Sequence, residues 1–238
     1  MLDFKTLLRA GILCGLTATA QAALVVSNDL TLIYDPGNNL TWTSDANLLA
    51  SLESKDANLV STIISDVVSI SDTNGANLLV GDDFGANGLV DWYGAQAFVA
   101  YLNLIAYQGS SHWILPTTVD ADSSAGEGVK TSQLGDLFYN ELGGKADHAI
   151  PDNQFFTNQQ SFGYWSGTEY SSNPYDAWTF SAANGTQATS DKANLFYAWA
   201  VSSGNVGDVV VPTAVPIPGA VWLFASAVLG CLGFRRTV

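Results

Sequence analysis

Apolar and polar residues alternate near the start of the chain and predict two short strands joined by a turn. The alternation begins at Leu30 and continues through Leu32 and Tyr34. The next four residues, Asp35-Pro36-Gly37-Asn38, are typical of a tight turn because proline fixes φ and glycine and asparagine tolerate unusual backbone angles. A hairpin is therefore expected here.

Three later stretches have the three-to-four-residue apolar spacing of amphipathic helices. The first covers 44–67 and has a break near Asp56. The second, 91–106, has the most regular stripe of apolar residues. The third covers 133–142 and precedes Gly143-Gly144, a sequence that favours the end of a helix.

The stretch 71–88 between the first two helical regions is rich in Gly, Asn and Asp, which predicts a loop. Asp72 and Asn74 partly match a calcium-binding loop. Ala76 and Asn77, however, stand where such a loop needs an oxygen ligand and a glycine. Calcium therefore stays a possible cofactor, with an ordinary turn-rich loop as the alternative.

The pattern changes after Phe155 to short aromatic strands separated by polar turns. In the last of these, Leu195, Tyr197, Trp199 and Val201 alternate with smaller residues, which predicts a strand with one packed face. Helices in the first half followed by strands in the second indicate an α+β domain.

The N-terminal segment 1–22 has the features of a signal peptide. Basic Lys5 and Arg9 precede or flank an apolar stretch, and Ala20-Gln21-Ala22 offers a cleavage site. We therefore expect an exported domain over 23–203, followed by a linker over 204–214 that is rich in small residues.

The C-terminal segment 215–238 combines two prolines, an apolar run and an arginine pair. Pro216 and Pro218 favour an extended backbone that a processing enzyme can bind. The apolar run 219–234 would form a helix roughly 24 Å long, marginal against a hydrocarbon core of about 30 Å. Arg235 and Arg236 would keep its C-terminal end in the cytoplasm. A plain membrane anchor is the alternative to a processed signal.

The charge of the expected exported domain is strongly negative. Between the two ends the chain has 4 lysines, 21 acidic residues and no arginine, a net charge of −17. Such a surface repels nucleic acid and anionic lipid, so neither is an expected partner. The two cysteines, Cys14 and Cys231, lie in the terminal segments, so the domain has neither a disulfide nor a thiolate.

Catalytic chemistry has few candidate residues. His112 and His148 are the only histidines, and Ser166 does not lie in a nucleophile-elbow motif. Zinc is disfavoured because two histidines without cysteine have no recognisable ligand spacing. We expect no catalytic residues and no metal. The alternative is an exported hydrolase that uses carboxylates or His112.

Binding has stronger support, because tyrosine and tryptophan crowd among small polar residues between 164 and 199, as in adaptable recognition loops. The large side chains Trp165, Trp178 and Trp199 are expected to form the core of a sheet. The ligand-binding candidates are the residues of a predicted loop: Tyr170, Asn173, Tyr175 and Asp176.

Four stretches together resemble the Lcl C-terminal family of bacterial extracellular domains over residues 29–203. They are "TLIYDPGNNLTWTSDANLL", "DWYGAQAFVAYLN", "HWILPTTVD" and the long aromatic segment that begins "YWSGTEY". The family motif W-R-L-P-T has isoleucine at Ile114 here, so no arginine-dependent role is carried over. The structural motif residues are Trp92, Trp113, Leu115, Pro116, Tyr164, Trp165, Ser166, Trp178 and Trp199.

This resemblance implies a fold like that of C-type lectins and formylglycine-generating enzymes. The expectation is a single domain with two helices and a small, twisted antiparallel sheet that carries long loops. The formylglycine-generating relatives use cysteines for their oxidation, and the domain has none, so that activity does not carry over.

The closing segment resembles a PEP-CTERM sorting signal in its V-P-x-P variant, with the key residues Pro216, Pro218, Arg235 and Arg236. The resemblance implies an exosortase-type processing enzyme as partner in a Gram-negative bacterium. The protein would be anchored transiently in the inner membrane and then released to the cell surface or the extracellular matrix.

The sequence as a whole predicts an exported, surface-sorted protein without catalytic activity. Its expected role is to bind an extracellular ligand, such as a glycan or matrix polymer, in adhesion or biofilm formation.

Overall fold

A computed structural model describes residues 23–208, and these form a mixed α/β domain. The predicted signal peptide (1–22), the second part of the predicted linker (209–214) and the predicted sorting signal (215–238) lie outside the described residues. Among residues 23–208, no helix has both the length and the apolar character needed to cross a membrane.

The first sheet contains the hairpin that the sequence predicts. The strands before and after the turn are fully buried, and the Asp35 carboxylate accepts hydrogen bonds from the backbone and side chain of Asn38. All neighbouring strands are antiparallel. In spatial order they are β1 (Val25–Val26), β2 (Leu32–Asp35), β3 (Leu40–Thr43), β12 (Val201–Ser203) and β7 (Trp113–Ile114).

A second five-stranded sheet contains one parallel pair, in which Tyr197 is the partner of Tyr164. In spatial order its strands are β10 (Thr186–Asp191), β9 (Asp176–Ser181), β8 (Gly163–Glu169), β11 (Phe196–Tyr197) and β6 (Leu89–Val90). The prediction of a single small antiparallel sheet is therefore wrong.

The segment between β11 and β12 crosses from the second sheet to the first. Ala198 and Ala200 are as buried as Trp199, whereas Leu195 is 39% exposed. The predicted alternation with one packed face is wrong because protein covers this crossing segment on both sides. Residues 204–208, at the start of the predicted linker, remain in contact with the first sheet, where the Thr41 hydroxyl donates to the Gly204 carbonyl.

The structure has four α-helices within the described residues rather than two. The first predicted helical region is two helices, α1 (Leu48–Glu53) and α2 (Leu59–Val67), separated near Asp56 as predicted. The second is α3 (Trp92–Leu104), and the third is α4 (Gln133–Asp136), which continues as a π-helical turn.

Side chains cap the two later helices at their first turns. The Asp91 carboxylate accepts a hydrogen bond from the Gly94 backbone at the start of α3, and Ser132 does the same for Gly135 at α4. Each cap satisfies a backbone N–H that has no partner inside its helix.

Part of the predicted loop 71–88 belongs to a separate hairpin of β4 (Ser69–Asp72) and β5 (Gly75–Leu78). Its residues are mostly exposed and polar, so the sequence lacks the apolar alternation that would have indicated strands. Gly75 has φ of 126°, a conformation that favours glycine.

The two family motifs, Trp113-Ile114-Leu115-Pro116-Thr117 and Tyr164-Trp165-Ser166-Gly167-Thr168, pack against each other beside α3. Ser166 donates its hydroxyl to the Pro116 carbonyl, and its own carbonyl accepts a hydrogen bond from the Trp92 indole. The Gly167 backbone also donates to Pro116, at a bulge in β8. All the structural motif residues are buried: Trp92, Trp113, Leu115, Pro116, Tyr164, Trp165, Ser166, Trp178 and Trp199.

Candidate binding site

Three of the predicted ligand-binding residues, Tyr170, Asn173 and Tyr175, lie in the loop between β8 and β9, and Asp176 is the first residue of β9. Most of their polar groups brace the loop itself. The Asn173 side-chain amide donates to the Asp176 carboxylate at 3.0 Å, and its carbonyl accepts from the Tyr175 backbone. The Tyr170 ring packs edge-on against Trp178. Tyr175 is the member with a largely free surface, since 69% of it is exposed.

Asp120 anchors this loop from a neighbouring segment. One carboxylate oxygen accepts from the Ser171 backbone at 3.1 Å and the other from the Trp178 indole at 2.8 Å. Hydrogen bonds from Ser171 and Trp178 hold the pKa of Asp120 below its usual value. The loop is therefore braced by its own hydrogen bonds and by Asp120, and neither of the pockets at Tyr197 and Ile114 is lined by any of the four predicted residues.

A pocket of about 440 Å³ lies elsewhere, between α1 and the aromatic strand β11. We call it the Tyr197 pocket. Its lining is Asn47, Ala50, Glu53, Ser54, Asn87, Gln160 and Tyr197. The members are mostly polar and come from four separate parts of the chain, so only the folded domain brings them together.

One wall of the Tyr197 pocket combines a carboxylate and a side-chain amide. Burial raises the pKa of Glu53 above its usual value, although a hydrogen bond with the Gly88 backbone opposes the shift. The Asn47 side chain donates to the Asn87 carbonyl at 3.1 Å, while its own Oδ1 is buried without a hydrogen-bond partner. The Glu53 carboxylate is thus the acceptor of this wall that suits a hydroxyl or ammonium donor, because the Asn47 Oδ1 is covered by protein.

Gly88 allows this wall to form. Its φ is 77°, and a Cβ at this position would lie within 3.0 Å of both Asn47 and Ala50. Because only glycine combines this conformation with so close an approach, the 86–88 turn can lie directly against α1.

Tyr197 adds an aromatic residue to the lining, and other aromatic rings hold its ring in place. Tyr197 is half-buried, and its ring centroid lies 5.8 Å from that of buried Tyr164 and 6.2 Å from that of Phe162. Gln160 stands beside it, with its backbone N–H bonded to the Tyr164 hydroxyl and its side chain to the Asn158 carbonyl. These contacts fix the ring and the amide before any ligand arrives.

The residues considered for catalysis are dispersed. His112 and His148 are both exposed, and the His148 ring is hydrogen-bonded to the Ala146 carbonyl. Among the carboxyl groups of the described residues, Asp91 has the largest increase in pKa, because burial and the nearby charge of Asp83 raise it to about 7. Asp91 is buried and caps α3, so its position is explained by the helix.

Two places with acidic residues can be compared with what a metal site needs. Asp35, Asp136 and Glu141 each place a carboxylate oxygen within 4.8 Å of the others, with the Asn38 amide bonded to both aspartates. Asp72, from the partial calcium motif, is hydrogen-bonded instead to Lys192, Tyr93 and the Asn74 backbone.

Ile114, which replaces the family arginine, lies at a second groove between α3, β4 and β7. The groove has a volume of about 340 Å³, and Ile114 is 41% exposed at its edge. Gln96 and Asn103 also line it. The position at which the family motif has arginine therefore lies at a surface groove and is not part of the Tyr197 pocket's lining.

Sequence reasoning missed the Tyr197 pocket. Its signal was Tyr197, which the sequence placed both in the aromatic cluster and on the packed face of a strand. Asn47 lies in the first family stretch, and Glu53 and Gln160 belong to no motif. Helix packing and strand pairing bring these residues together, which no local pattern reveals.

Comparison with known proteins identifies the family. The model of the Lcl C-terminal domain matches residues 31–202, a span that includes both motifs described above. Neither a curated protein nor a solved structure matches the chain. The family resemblance seen in the sequence is thus confirmed: the protein belongs to the Lcl C-terminal domain family.

Proposed function

We propose that this protein is an exported, non-catalytic binding protein whose Tyr197 pocket takes an uncharged or cationic polysaccharide. The observation that carries the proposal is that Tyr197, whose ring packs against Tyr164, lines one pocket together with Glu53 and Asn47. A fold like that of C-type lectins, which the family resemblance implies, agrees with this role.

The chemistry of the pocket favours a sugar over a lipid or an apolar compound. Sugar rings have an apolar face that packs on tyrosine and hydroxyl groups that donate to amide and carboxylate oxygens. Glu53 supplies a carboxylate and Gln160 a side-chain amide in the same pocket as Tyr197.

The negative net charge of the domain favours some classes of polysaccharide over others. The chain between the two terminal segments has a net charge of −17 and no arginine, so uronic-acid or sulfated polymers would be repelled. A neutral or amino-sugar polymer avoids this repulsion, and an ammonium group would pair with Glu53.

Delivery of the domain to the cell surface is the second part of the proposal. The Val-Pro-Ile-Pro core, the apolar run and Arg235-Arg236 support sorting by an exosortase-type enzyme at the inner membrane. The binding domain would then reach the surface or the extracellular matrix, where adhesion or matrix binding takes place.

A polysaccharide array tests the proposal. Purified protein is applied to neutral, amino-sugar, uronic-acid and sulfated polymers at physiological ionic strength, with Tyr197→Ala and Tyr175→Ala variants run in parallel. Binding to neutral or amino-sugar polymers that is lost in Tyr197→Ala supports the proposal. Selective binding to acidic polymers, or retention of all binding in Tyr197→Ala, would contradict it.

A further inference from the structure

A buried lysine lies in contact with two carboxylates at the junction of the β4–β5 hairpin and the second sheet. Lys192 Nζ is 2.6 Å from Asp72 Oδ2 and 2.7 Å from Glu169 Oε2. The side chains of Lys192 and Asp72 are 2% and 0% exposed, and that of Glu169 is 25% exposed. The other lysines of the described residues, Lys55, Lys130 and Lys145, are exposed.

Aromatic rings enclose this group. Lys192 Nζ lies 4.6 Å from the ring centroid of Trp92 and 5.8 Å from that of Tyr93. The Tyr93 hydroxyl donates to Asp72 Oδ2 at 2.9 Å, the same oxygen that Lys192 contacts. An amine, a carboxyl group, a second carboxylate and a hydroxyl donor are therefore held together, with the Lys192 and Asp72 side chains shielded from water and that of Glu169 partly exposed.

We propose that Lys192 and Asp72 become joined by an amide bond between Nζ and Cγ, with Glu169 as the catalytic residue that transfers protons. This would be a covalent modification site of the folded chain, beyond the proposed binding function and independent of it.

The proposed step is a condensation without oxidation or reduction. Proton transfer from Lys192 to Asp72 turns the ion pair into a neutral amine and a protonated carboxyl, the form that reacts, and burial lowers the free energy that this transfer costs. Nζ attacks Asp72 Cγ, and Glu169 accepts the amine proton and passes it to the departing hydroxyl. The C–N bond forms, the C–O bond breaks, and one water molecule leaves.

The fixed contacts among these groups should speed up this reaction. Reactants held in contact react as if at very high concentration, with effective molarities on the order of 10⁵ M or more in well-oriented cases. The hydrogen bond from Tyr93 stabilises the developing charge on the Asp72 oxygen. Burial alone raises the pKa of Asp72, but hydrogen bonds from Lys192 and Tyr93 hold it below its usual value, so the ion pair is the starting state.

Such a bond would be a covalent crosslink within a domain that has no disulfide. No cysteine lies between the two terminal segments, so no disulfide is available. The β4–β5 hairpin is largely exposed, and its described polar links to the second sheet include the Thr73 backbone with Glu169 and the Asn74 side chain with the Pro174 carbonyl. A link from residue 72 to residue 192 would close a long loop and restrict the unfolded chain.

Peptide mapping of the purified full-length protein tests the proposal. Trypsin should cut after Lys55, Lys130 and Lys145 but not after Lys192, because an amide removes the charge that trypsin recognises. Chymotryptic digestion should yield a joined peptide containing residues 72 and 192, lighter than the two separate peptides by one water molecule.

Two variants separate the bond from the ion pair. Glu169→Gln keeps a side chain of the same size and should leave the Lys192 and Asp72 peptides separate in a protein that remains folded by circular dichroism. Lys192→Arg keeps the positive charge and should also show no joined peptide. Recovery of separate, unmodified Lys192 and Asp72 peptides from folded wild-type protein would overturn the proposal, as would a joined peptide in Lys192→Arg.

Discussion

Lys192 Nζ lies 2.6 Å from the Asp72 carboxylate, and this contact joins two elements that are 120 residues apart in the sequence. Lys192 follows β10, and Asp72 ends β4. The Lys192 backbone extends the junction, because its N–H donates to the Tyr175 carbonyl and its carbonyl accepts from the Trp92 backbone. One residue therefore connects the exposed hairpin, the start of α3 and the Tyr175 loop.

Replacing this lysine should destabilise the domain strongly. Lys192→Met removes the Nζ that contacts Asp72, whether as an ion pair or as an amide, and leaves Asp72 and Glu169 beside each other, so we expect the free energy of unfolding to fall by about 3–5 kcal/mol. Lys145→Met is the matched control because Lys145 is exposed, and its effect should be within about 0.5 kcal/mol. Urea unfolding followed by tryptophan fluorescence measures both. Equal effects of the two substitutions would contradict the role given to Lys192.

The pH dependence of stability should report the buried N-cap Asp91. Its pKa is about 7 in the folded domain, chiefly because of burial, against about 4 in an unfolded chain. Between these values the folded state holds a proton that the unfolded state has lost, so the free energy of unfolding falls as the pH rises from about 4 to about 7. Asn is also a good N-cap, so Asp91→Asn should fold and lose this contribution.

The measurement for Asp91 is urea unfolding of wild type and Asp91→Asn at several pH values across that window. The free energy of unfolding of the variant minus that of wild type should increase as the pH rises. A constant difference across the window would show that the folded-state pKa of Asp91 is not raised.

Trp199 should be among the most sensitive core positions. Its ring contacts Trp42, Phe156 and Tyr164, and its indole N–H donates to the Thr43 carbonyl at 2.9 Å between the sheets. Trp199→Ala should therefore cost about 3–5 kcal/mol of stability. Trp199→Phe keeps most of the contact but leaves the Thr43 carbonyl unpaired, so thermal unfolding should place it between wild type and the alanine variant.

Processing of the C-terminus should depend on the proline pair. Changing Pro216 and Pro218 to alanine removes two residues that favour an extended backbone, so an exosortase-type enzyme should leave the tail uncut. Immunoblotting of cell fractions with an antibody to the domain distinguishes the longer, membrane-associated form from the processed one. Normal processing of the double variant would refute the sorting proposal.

The sequence predicted those parts of the fold that depend on neighbours along the chain. The β2–β3 hairpin follows from the alternation around Leu32 and the turn at Asp35, and α3 follows from its apolar spacing and the Asp91 cap. The two family motifs also identified buried residues correctly as structural, and the family itself was recognised from them.

Features that depend on distant contacts escaped prediction. The 195–201 segment has a strand-like alternation, but it crosses between two sheets, so Ala198 and Ala200 are buried along with Trp199. The hairpin β4–β5 is polar because it lies at the surface, and its anchor is Lys192, far away in the sequence. The Tyr197 pocket escaped for the same reason, since helix α1 and strand β11 meet only after folding.

The most direct test of the account is the affinity of a bound polysaccharide for a set of pocket variants, measured by isothermal titration calorimetry. Tyr197→Ala should weaken binding at least about tenfold, equivalent to roughly 1.4 kcal/mol, and Glu53→Gln should weaken an amino-sugar ligand more than a neutral one. Tyr175→Ala, a matched change at an exposed tyrosine outside the pocket, should leave the affinity within about twofold. If Tyr175→Ala abolishes binding while folded Tyr197→Ala retains it, the Tyr197 pocket is not the binding site.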